Sequence, residues 1–368
     1  ASFKSYYYNR KICRHVLLST HTDECFGNRV SSNNCNRLGG DLAVSIIILA
    51  AGQGKRMHSV LPKVLQPLAG KSLLQYVIDT AVEIGGDDVC IVYGYGGDAM
   101  LLAFEGQDLR WEQQTEQLGT GHAVQQAMPE TPDDNQVMIL FGDVPLLRSE
   151  TLTRMLDCCG IDEVAVLTAD VEEPFGYGRI IRESGKVVRN VEEKDATDEE
   201  RAVTEINSGV MVCPAARLKN WLNRLDNHNS QGEYYLTDVI NLAVDDGCIV
   251  HGVKADSWVE VMGINDKKQL GEAERALQAR LVDELMTQGV SFADPARVDI
   301  RGKLICGKDV FIDINAVFEG EVSLNDNVKI ESNNVICDSV IGRGTVVHSN
   351  CHIEGARTGG SCEIGPFS

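Results

Sequence analysis

An almost unbroken run of apolar residues over 44–51 opens the part of the chain with regular patterning. Such a run is typical of a parallel strand that is covered on both faces of its sheet. Similar runs over 89–93, 136–141 and 163–167 predict three further strands, and apolar positions with helical spacing over 72–78 predict a helix between the first two. Strands that alternate with helices predict an α/β domain with a mostly parallel sheet.

Apolar positions with a period of six residues mark the last part of the chain. They form two lanes, the first being Val310, Ala316, Val322, Val328, Val340 and Val346, interrupted at Asn334, and the second Ile312, Phe318, Leu324, Ile330 and Ile336. This period predicts a parallel β-helix, whose coils have three short sides of one hexapeptide each. No terminal cap is evident before Ser368, so we expect the complete β-helix to be longer than this chain. Residues 266–288 precede the repeat and have the pattern of one long connecting helix.

The bulk composition narrows the class of protein. At 368 residues the chain is long enough for two or three domains. A formal net charge of −20 argues against a nucleic-acid or anionic-membrane surface, since both are bound through accumulated Lys and Arg. No apolar run approaches the ~20 residues that span a bilayer, so we do not expect a membrane protein. A small anionic substrate is compatible with the charge, because a pocket needs only a few local cations.

The twelve cysteines include no C-x-x-C pair. The adjacent pair Cys158-Cys159 cannot clamp a metal ion with tetrahedral spacing. We therefore expect most cysteines to be small buried apolar residues in a reducing, cytoplasmic compartment. A structural disulfide network is the weaker alternative.

Residues 1–41 differ from the rest of the chain. They carry three cysteines, and six Lys or Arg against three acids. They contain no apolar core of signal-peptide length. We interpret them as a disordered extension, or as upstream sequence that does not belong to the fold, with a transit peptide as the weaker alternative.

Two turns at the carboxyl ends of predicted strands carry candidate chemistry. Gly52-Gln53-Gly54 follows the first strand, and Arg56 and Lys63 come shortly after it. Glycine lets backbone N–H groups approach phosphate oxygens, so this turn with two cations nearby predicts phosphate binding. The turn is neither a Walker A loop nor a G-x-G-x-x-G fingerprint. Gly142-Asp143 follows the third strand, and ligands of parallel sheets bind at this edge, so we expect the two turns to converge.

The pattern G-x-G-x-R-M with a following Pro-Lys resembles the signature loop of sugar nucleotidyltransferases. The segments that extend the resemblance are QTEQLGTGHA at 114–123, FGDVP at 141–145, GYGRI at 176–180, VEEKDA at 191–196, EINSG at 205–209 and EYYLTD at 233–238. With the six-residue repeat, this order resembles the GlmU family. These bacterial bifunctional enzymes join an N-acetylglucosamine-1-phosphate uridylyltransferase to a glucosamine-1-phosphate acetyltransferase. The resemblance covers the chain from about residue 43 to its end.

The resemblance implies a Rossmann-like nucleotidyltransferase domain over 42–267, a linker helix over 268–288 and the start of a left-handed parallel β-helix over 289–368. It implies uridylyl transfer from UTP to N-acetylglucosamine 1-phosphate, giving pyrophosphate and UDP-N-acetylglucosamine, a precursor of cell wall and lipopolysaccharide. In the family, the acetyl-CoA site lies in later coils of the β-helix and in the tail beyond. We therefore expect acetyl-CoA binding, acetyl transfer and a homotrimer only of the complete protein.

The implied reaction is an in-line attack of a sugar phosphate oxygen on the α-phosphorus of UTP, which depends on positioning and on charge neutralisation. By resemblance, Arg56 and Lys63 are catalytic residues that stabilise the phosphate charge. Asp143 and Asn265 are by resemblance the ligands of Mg²⁺, a hard cation that takes few protein oxygens. Without the resemblance, Asn265 would be interpreted as an ordinary helix N-cap.

The resemblance also implies a set of substrate-binding residues. They are Leu49, Ala50, Ala51, Gly52, Lys63, Gln114, Gly119, Thr120, Phe141, Gly142, Asp143, Gly178, Glu192, Asn207 and Asn265. Gln114 and the Gly119-Thr120 turn would recognise uracil, because amide and backbone groups suit its alternating donors and acceptors. Gly178, Glu192 and Asn207 would line the sugar site. A solvated acidic run is a substantial alternative for Glu192.

Two positions depart from the family pattern. Lys55 stands where the family often has Thr, and Phe141 where it often has Tyr. His122 follows Gly121 and is interpreted as a structural residue at a helix start rather than as a catalyst.

Three other functions stay open on the sequence. The chain could be a thymidylyl- or adenylyltransferase that acts on glucose 1-phosphate, since these enzymes share the glycine-rich loop. It could be a non-catalytic scaffold that binds a sugar nucleotide on the same fold. The β-helix alone could act as an acyltransferase, which the missing later coils argue against.

Overall fold

A computed structural model provides the structure of the chain and describes residues 43–86 and 88–368. The predicted extension over 1–41 lies outside the described residues. Up to residue 254 the strands are β1 Val44–Ala50, β2 Pro67–Leu68, β3 Lys71–Ser72, β4 Asp88–Tyr93, β5 Arg110–Gln113, β6 Gln136–Phe141, β7 Val164–Asp170, β8 Gly178–Glu183, β9 Lys186–Val191, β10 Glu205–Pro214 and β11 Val250–Lys254. The helices are α1 Leu73–Glu83, α2 Gly97–Ala103, α3 Thr120–Ala127, α4 Ser149–Cys158, α5 Asp198–Arg201, α6 Ala215–Arg224, α7 Asp238–Asp245 and α8 Lys267–Thr287.

The central sheet follows the order β11-β7-β10-β6-β1-β4-β5. Strand β1 pairs in parallel with β4 and with β6, β4 pairs in parallel with β5, and β11 with β7. Strand β10 runs antiparallel to both of its neighbours, and the hairpin of β8 and β9 joins the sheet through it. The predicted α/β class with a mostly parallel sheet is confirmed.

Burial on both faces of the sheet explains why the sequence of β1 is almost entirely apolar. Ile46 and Ile48 pack with α1, α2 and α4 on one face of the sheet. Ile47 packs with α3, α6 and α7 on the other face. Successive side chains alternate between faces, so a strand covered on both sides needs an apolar residue at nearly every position. The polar exception, Ser45, is fully buried and accepts a hydrogen bond from Asn135 Nδ2 at 2.9 Å.

Helix α8 joins this region to the β-helix. The carboxylate of Asp266 caps it by accepting two backbone N–H groups at 2.9 Å. Leu277 packs on the core beneath the glycine-rich loop, and Val282, one and a half turns later, packs on the core of the β-helix. Buried Gln278 hydrogen-bonds both backbone groups of Ile300, at 2.7 and 2.8 Å, and so attaches the helix to the first coil.

Parallel strands form the coils after α8. They are β12 Ser291–Phe292, β13 Val298–Cys306, β14 Phe311–Ile312, β15 Ala316–Leu324, β16 Lys329–Ile330, β17 Val335–Cys337, β18 Val340–Ile341, β19 Val346–Val347, β20 His352–Glu354 and β21 Glu363–Ile364. They stack in the orders β12-β14-β16-β19-β21 and β13-β15-β17-β20, with β18 beside β15. In the first coil Val298 pairs with Ala316, which is three hexapeptides further on. The start of a parallel β-helix, as predicted, is confirmed.

The first predicted lane of apolar residues, which continues through Val340 and Val346, is wrong beyond Ile336. Ile341 and Val347 are buried there, whereas Val340 and Val346 are only half-buried. The pairing of β17 with β20 shows a coil one residue shorter than three hexapeptides. Because side chains of a strand alternate between faces, losing one residue transfers the inward positions to the neighbouring residues.

The predicted interruption at Asn334 is a core position of the β-helix. Its side chain is fully buried. Its Nδ2 donates to the carbonyl oxygen of Glu331 at 2.8 Å, and its Oδ1 accepts from the backbone N–H of Cys351 at 2.7 Å. The amide therefore satisfies backbone groups on two successive coils, which is what makes burial of this polar residue tolerable.

The nine cysteines among the described residues are free thiols, and five of them are buried. Burial raises the pKa of Cys90 to about 12, which disfavours its thiolate. These thiols behave as the small apolar residues expected from the sequence. In the described part of the chain, no helix is long and apolar enough to cross a membrane. The described residues form one compact unit, so the domain limits at 267 and 288 stay predictions.

Candidate active site

The Gly52-Gln53-Gly54 turn, here called the glycine-rich loop, leaves β1 at the carboxyl edge of the sheet. It leads into a 3₁₀ turn at Lys55–Met57, and Gly54 before that turn has a φ of 59°. A Cβ atom at Gly54 would lie 2.6 Å from the Cβ atom of Lys63. Glycine thus allows both the left-handed backbone and the close approach of Lys63, which follows in a second 3₁₀ turn at Lys63–Leu65.

A cavity of about 310 Å³ opens between this loop and the carboxyl ends of β1, β5 and β6. The predicted site residues that line it are Leu49, Ala50, Ala51, Gly52, Lys63, Gln114, Gly119, Thr120, Phe141 and Asp143. Four further lining residues are absent from the prediction, namely Val64, Gln117, Ala123 and Glu233. The size suits a small-molecule ligand, and the two predicted turns do converge here.

Two of the quoted sequence segments meet at the outer end of the cavity. Backbone N–H of Gly121 donates to the carbonyl oxygen of Tyr234, and the N–H of Tyr234 donates to that of Leu118, both at 2.8 Å. Thr120 accepts at its hydroxyl from the backbone N–H of Leu236 at 3.0 Å. The turn that carries Gly119 is therefore held in place by the segment over 233–238.

Gln117 connects this outer turn to the glycine-rich loop. Its Nε2 donates to the carbonyl oxygen of Ala51 at 2.9 Å. The sequence offered no signal for this contact, because Gln117 lies in a polar loop without periodicity and 66 positions from Ala51.

Lys63 and Asp143 line the charged end of the cavity, and Asn265 lies beside Lys63. The ammonium of Lys63 pairs with Asp143 Oδ2 and donates to Asn265 Oδ1 at 3.2 Å. The side chains of Lys63 and Asp143 are 12% and 18% exposed, so water screens this pair only in part. The structure thus brings together the predicted catalytic lysine and both predicted metal ligands.

The amide of Asn265 is oriented by its own loop. Its Nδ2 donates to the carbonyl oxygen of Gly263 at 3.3 Å, which leaves Oδ1 facing Lys63. The N-cap of α8 is Asp266, so the alternative interpretation of Asn265 as that cap is wrong. Backbone N–H of Ile264 donates to the carbonyl oxygen of Asp143 at 2.9 Å and holds the two loops side by side.

This donor set fits a divalent cation. Asp143 and Asn265 direct a carboxylate oxygen and an amide oxygen at the same positive group, the Lys63 ammonium. Hard oxygens from few residues are what Mg²⁺ takes when phosphates and water supply the remaining ligands. Over residues 43–86 and 88–368, no cluster of three or more His, Cys, Asp or Glu forms a competing metal site.

The residues predicted for the sugar gather around Asn190. Asn207 Nδ2 donates to Asn190 Oδ1 at 3.1 Å, and Asn190 Nδ2 donates to Glu192 Oε1 at 3.2 Å. The hydroxyl of Thr237 also donates to Glu192 Oε1, at 2.6 Å. A Cβ atom at Gly178 would lie 2.8 Å from Asn190 Oδ1. Glu192 is therefore part of a hydrogen-bonded cluster rather than of a solvated run, and sequence reasoning missed Asn190 at its centre.

Six predicted residues lie outside the lining of the cavity: the sugar-side residues Gly178, Glu192 and Asn207, the neighbour of Lys63 at Asn265, and also Gly142 and Arg56. Gly142 is buried behind the cavity, where its N–H donates to the carbonyl oxygen of Leu49 at 2.9 Å. Arg56 is exposed on the 3₁₀ turn after the glycine-rich loop. The catalytic role of Arg56 stays a prediction.

Asp238 begins α7 next to the cluster around Glu192. Burial and then the negative charge of Glu192 raise the pKa of Asp238 from 3.8 to about 6. The folded protein therefore holds this proton more tightly than the unfolded chain does. Ionised Asp238 destabilises the fold above pH ~6, and this penalty fades as the pH falls through the interval between the two pKa values.

Asp238→Asn should raise the free energy of unfolding by about 1 kcal/mol at pH ~8, and by much less at pH ~4. The full pKa shift would be worth about 3 kcal/mol, but partial solvent exposure and the helix N-terminus both reduce it. Urea denaturation at the two pH values measures the difference. Glu172→Gln, a matched change at an exposed carboxylate, is the control. A gain that is equal at both pH values would contradict the prediction.

The chain is similar in sequence to proteins of known family. Residues 46–228 match the MobA-like NTP transferase domain. The bifunctional protein GlmU of Azoarcus sp. (strain BH72) is 51% identical over 326 residues, which cover 88% of this chain and 72% of that protein. The bifunctional protein GlmU of Herminiimonas arsenicoxydans is 48% identical over 325 residues, again covering 88% of this chain and 72% of the relative. The resemblance stated from the sequence is confirmed.

Solved structures agree on the fold. The structure of UDP-glucose pyrophosphorylase complexed with UDP-glucose has a TM-score of 0.53 at 18% identity, covering 65% of this chain and 100% of that one. A glucose-1-phosphate thymidylyltransferase from Bacillus anthracis has a TM-score of 0.51 at 18% identity, covering 64% of this chain and 95% of that one. At this identity the two structures support the fold alone. By the identity and coverage of its GlmU relatives, the chain belongs to the GlmU family and is a nucleotidyltransferase of the UDP-N-acetylglucosamine pyrophosphorylase type.

Proposed function

We propose that the cavity at the carboxyl edge of the sheet binds UTP and N-acetylglucosamine 1-phosphate and transfers uridylyl between them. The observation that carries this proposal is the convergence of the glycine-rich loop, the Gly119 turn and the Lys63–Asp143 pair on one cavity. The uracil would lie near Gln114, and the phosphates near Lys63. The sugar would extend toward the cluster that contains Glu192.

The residues of the cavity supply positioning and charge. Backbone N–H groups of the loop around Gly52 can donate to phosphate oxygens, and the Lys63 ammonium can donate to the charge that develops on them. Arg56 would move toward the phosphates from its exposed turn. Asp143 and Asn265 would hold Mg²⁺, which when bound neutralises phosphate charge. No general base is needed, because the attacking phosphate oxygen is already ionised.

Lys63→Met should tighten Mn²⁺ binding to the nucleotide-free protein about tenfold. In this structure the Lys63 ammonium takes up the two oxygens that we assign to the cation, so metal ion and lysine compete for Asp143 and Asn265. Electron paramagnetic resonance of free Mn²⁺ measures the affinity without any turnover.

Lys55→Met is the matched control for this measurement. It removes the same charge from an exposed lysine of the adjacent turn that does not line the cavity. An equal gain in affinity in both variants would show a general charge effect, and the assignment of Asp143 and Asn265 as metal ligands would then lose its support.

Pyrophosphate release tests the proposed reaction with each nucleotide triphosphate paired with each sugar phosphate. We expect turnover with UTP and N-acetylglucosamine 1-phosphate, and dependence on a divalent cation. Turnover confined to dTTP with glucose 1-phosphate would favour the thymidylyl alternative. Binding of UDP-N-acetylglucosamine without any turnover would favour a scaffold.

The β-helix and the cellular setting complete the proposal. We place the protein in the cytoplasm, where the reducing environment suits its free buried thiols. With a complete β-helix, we expect a homotrimer that also binds acetyl-CoA and acetylates glucosamine 1-phosphate. Sedimentation velocity of the complete protein, compared with this chain, measures how far assembly depends on the later coils.

A further inference from the structure

The amide of Gln114 has its orientation set by the surrounding protein. Its Nε2 lies 3.0 Å from the carbonyl oxygen of Gly119 and 3.1 Å from Nδ1 of His122. A carbonyl oxygen can only accept a hydrogen bond, so the amide atom beside Gly119 must be the NH₂ group. The reversed amide would place Oε1 against that carbonyl oxygen, with two acceptors facing each other.

His122 takes the second hydrogen of that NH₂ group. Nδ1 accepts that hydrogen when it carries a lone pair, and this arrangement places the ring proton on Nε2. Gln126 Nε2 lies 3.3 Å from that Nε2 atom, a longer contact than the one from Gln114. Gln126 Nε2 also donates to the carbonyl oxygen of His122 at 3.0 Å. Gln114 therefore makes the shorter contact with the ring, and we assign the single acceptor nitrogen to it.

The amide consequently presents one kind of atom to the cavity. Gln114 lines the cavity and is only 4% exposed, so its side chain has little freedom to rearrange. With both amide hydrogens engaged by Gly119 and His122, Oε1 is the atom left for a ligand, and it can only accept.

Uracil and cytosine differ at the ring atom that suits this acceptor. N3 of uracil carries a hydrogen, whereas N3 of cytosine carries a lone pair. A fixed acceptor therefore binds uracil and repels cytosine, while an amide free to turn over could donate to cytosine instead.

We propose that His122 is a positioning residue for nucleotide specificity, holding the Gln114 amide so that the enzyme accepts UTP and rejects CTP. The inference rests on the proposed function and adds to it a reason for the choice of base.

The kinetic test compares UTP with CTP, each with N-acetylglucosamine 1-phosphate as acceptor. His122→Leu fills similar space without a lone pair and should lower the UTP-to-CTP ratio of kcat/KM about tenfold. The loss is partial because Gly119 still engages one amide hydrogen. The KM for UTP should rise, and the KM for the sugar phosphate should stay unaltered. An unaltered ratio in a folded His122→Leu protein would overturn the proposal.

Three further variants separate positioning from general stability. His122→Asn should restore most of the ratio, because its Oδ1 can accept where Nδ1 did. Gln126→Leu changes the other side of the same ring and should leave the ratio unaltered. In a Gln114→Ala background, His122→Leu should have no additional effect, because positioning acts only through Gln114. A further tenfold loss in that background would contradict the proposal.

A measurement on the wild-type protein needs no turnover. The ¹⁵N chemical shifts of the His122 ring, assigned by comparison with His122→Asn, report which nitrogen carries the proton. We expect the proton on Nε2, and a neutral ring protonated on Nδ1 would overturn the inference even if no other variant folds. The expected ring state in a protein that does not turn over UTP would refute the proposed function alone, so the two failures are distinguishable.

Discussion

Asp143→Asn should lower kcat/KM for uridylyl transfer about 10³-fold while leaving the protein folded. Asp143 follows shortly after β6, and its carboxylate pairs with the Lys63 ammonium, which also donates to Asn265 Oδ1. Asparagine keeps the shape but removes the charge that would hold the cation against the phosphates. Backbone N–H of Ile264 still donates to the carbonyl oxygen of residue 143, so the loops should stay in register.

The measurement is pyrophosphate release at saturating Mg²⁺, with circular dichroism to verify folding. Asp162→Asn is the matched control, because it removes an exposed carboxylate that pairs with Arg217 on the surface. Activity of Asp143→Asn within about fivefold of wild type would exclude Asp143 as a metal ligand, since a lost ligand costs far more than that. A large loss shared by the control would instead point to the global charge.

The strands that could be predicted are those whose burial is uniform. Strand β1 is covered on both faces, so its apolar run is visible without any tertiary information. Strand β10 escaped prediction because Asn207-Ser208-Gly209 lies inside it, where its pairing with β7 shifts register. Strand β5 is half-exposed at the edge of the sheet, and its place follows from pairing with β4 rather than from its own pattern. Such strands are determined by their neighbours.

The same reasoning divides the candidate site. Residues at the ends of buried parallel strands, such as Ala51 and Asp143, could be placed because those ends share one edge of the sheet. Gln117 and Glu233 lie in polar loops, and only contacts between distant segments bring them to the cavity. Asn190 was not predicted, because an isolated Asn within a strand gives no indication of a binding site. In the structure it lies at the centre of the sugar-side cluster.

The β-helix shows a third limit of sequence patterns. A period of six identified the architecture, yet a coil one residue short of three hexapeptides changed which residues point inward after Ile336. The sequence does not reveal that change where adjacent positions are both apolar. Val346 and Val347 are an example, because either could be the core residue. Only the strand pairing distinguishes them.

Gly119→Ala should raise the KM for UTP more than tenfold and lower the free energy of unfolding by about 2–4 kcal/mol. Gly119 has a φ of 114°, a backbone conformation that L side chains rarely adopt. A Cβ atom there would lie 2.6 Å from the carbonyl oxygen of Tyr234 and 2.8 Å from its nitrogen. Both obstacles are backbone atoms of the segment that holds this turn, so neither can move without opening the outer end of the cavity.

The effect on UTP follows from what Gly119 holds. Its carbonyl oxygen accepts from Gln114, so a displaced turn releases the amide that we assign to uracil. Gly247→Ala separates strain from obstruction, because Gly247 has a φ of 77° but nothing within 4 Å of an added Cβ atom. That control should lose about 1 kcal/mol of stability and keep its KM for UTP. Equal KM values in the two variants would mean that the Gly119 turn does not position the nucleotide. A selective rise for Gly119→Ala would tie nucleotide affinity to the contact between the turn and Tyr234.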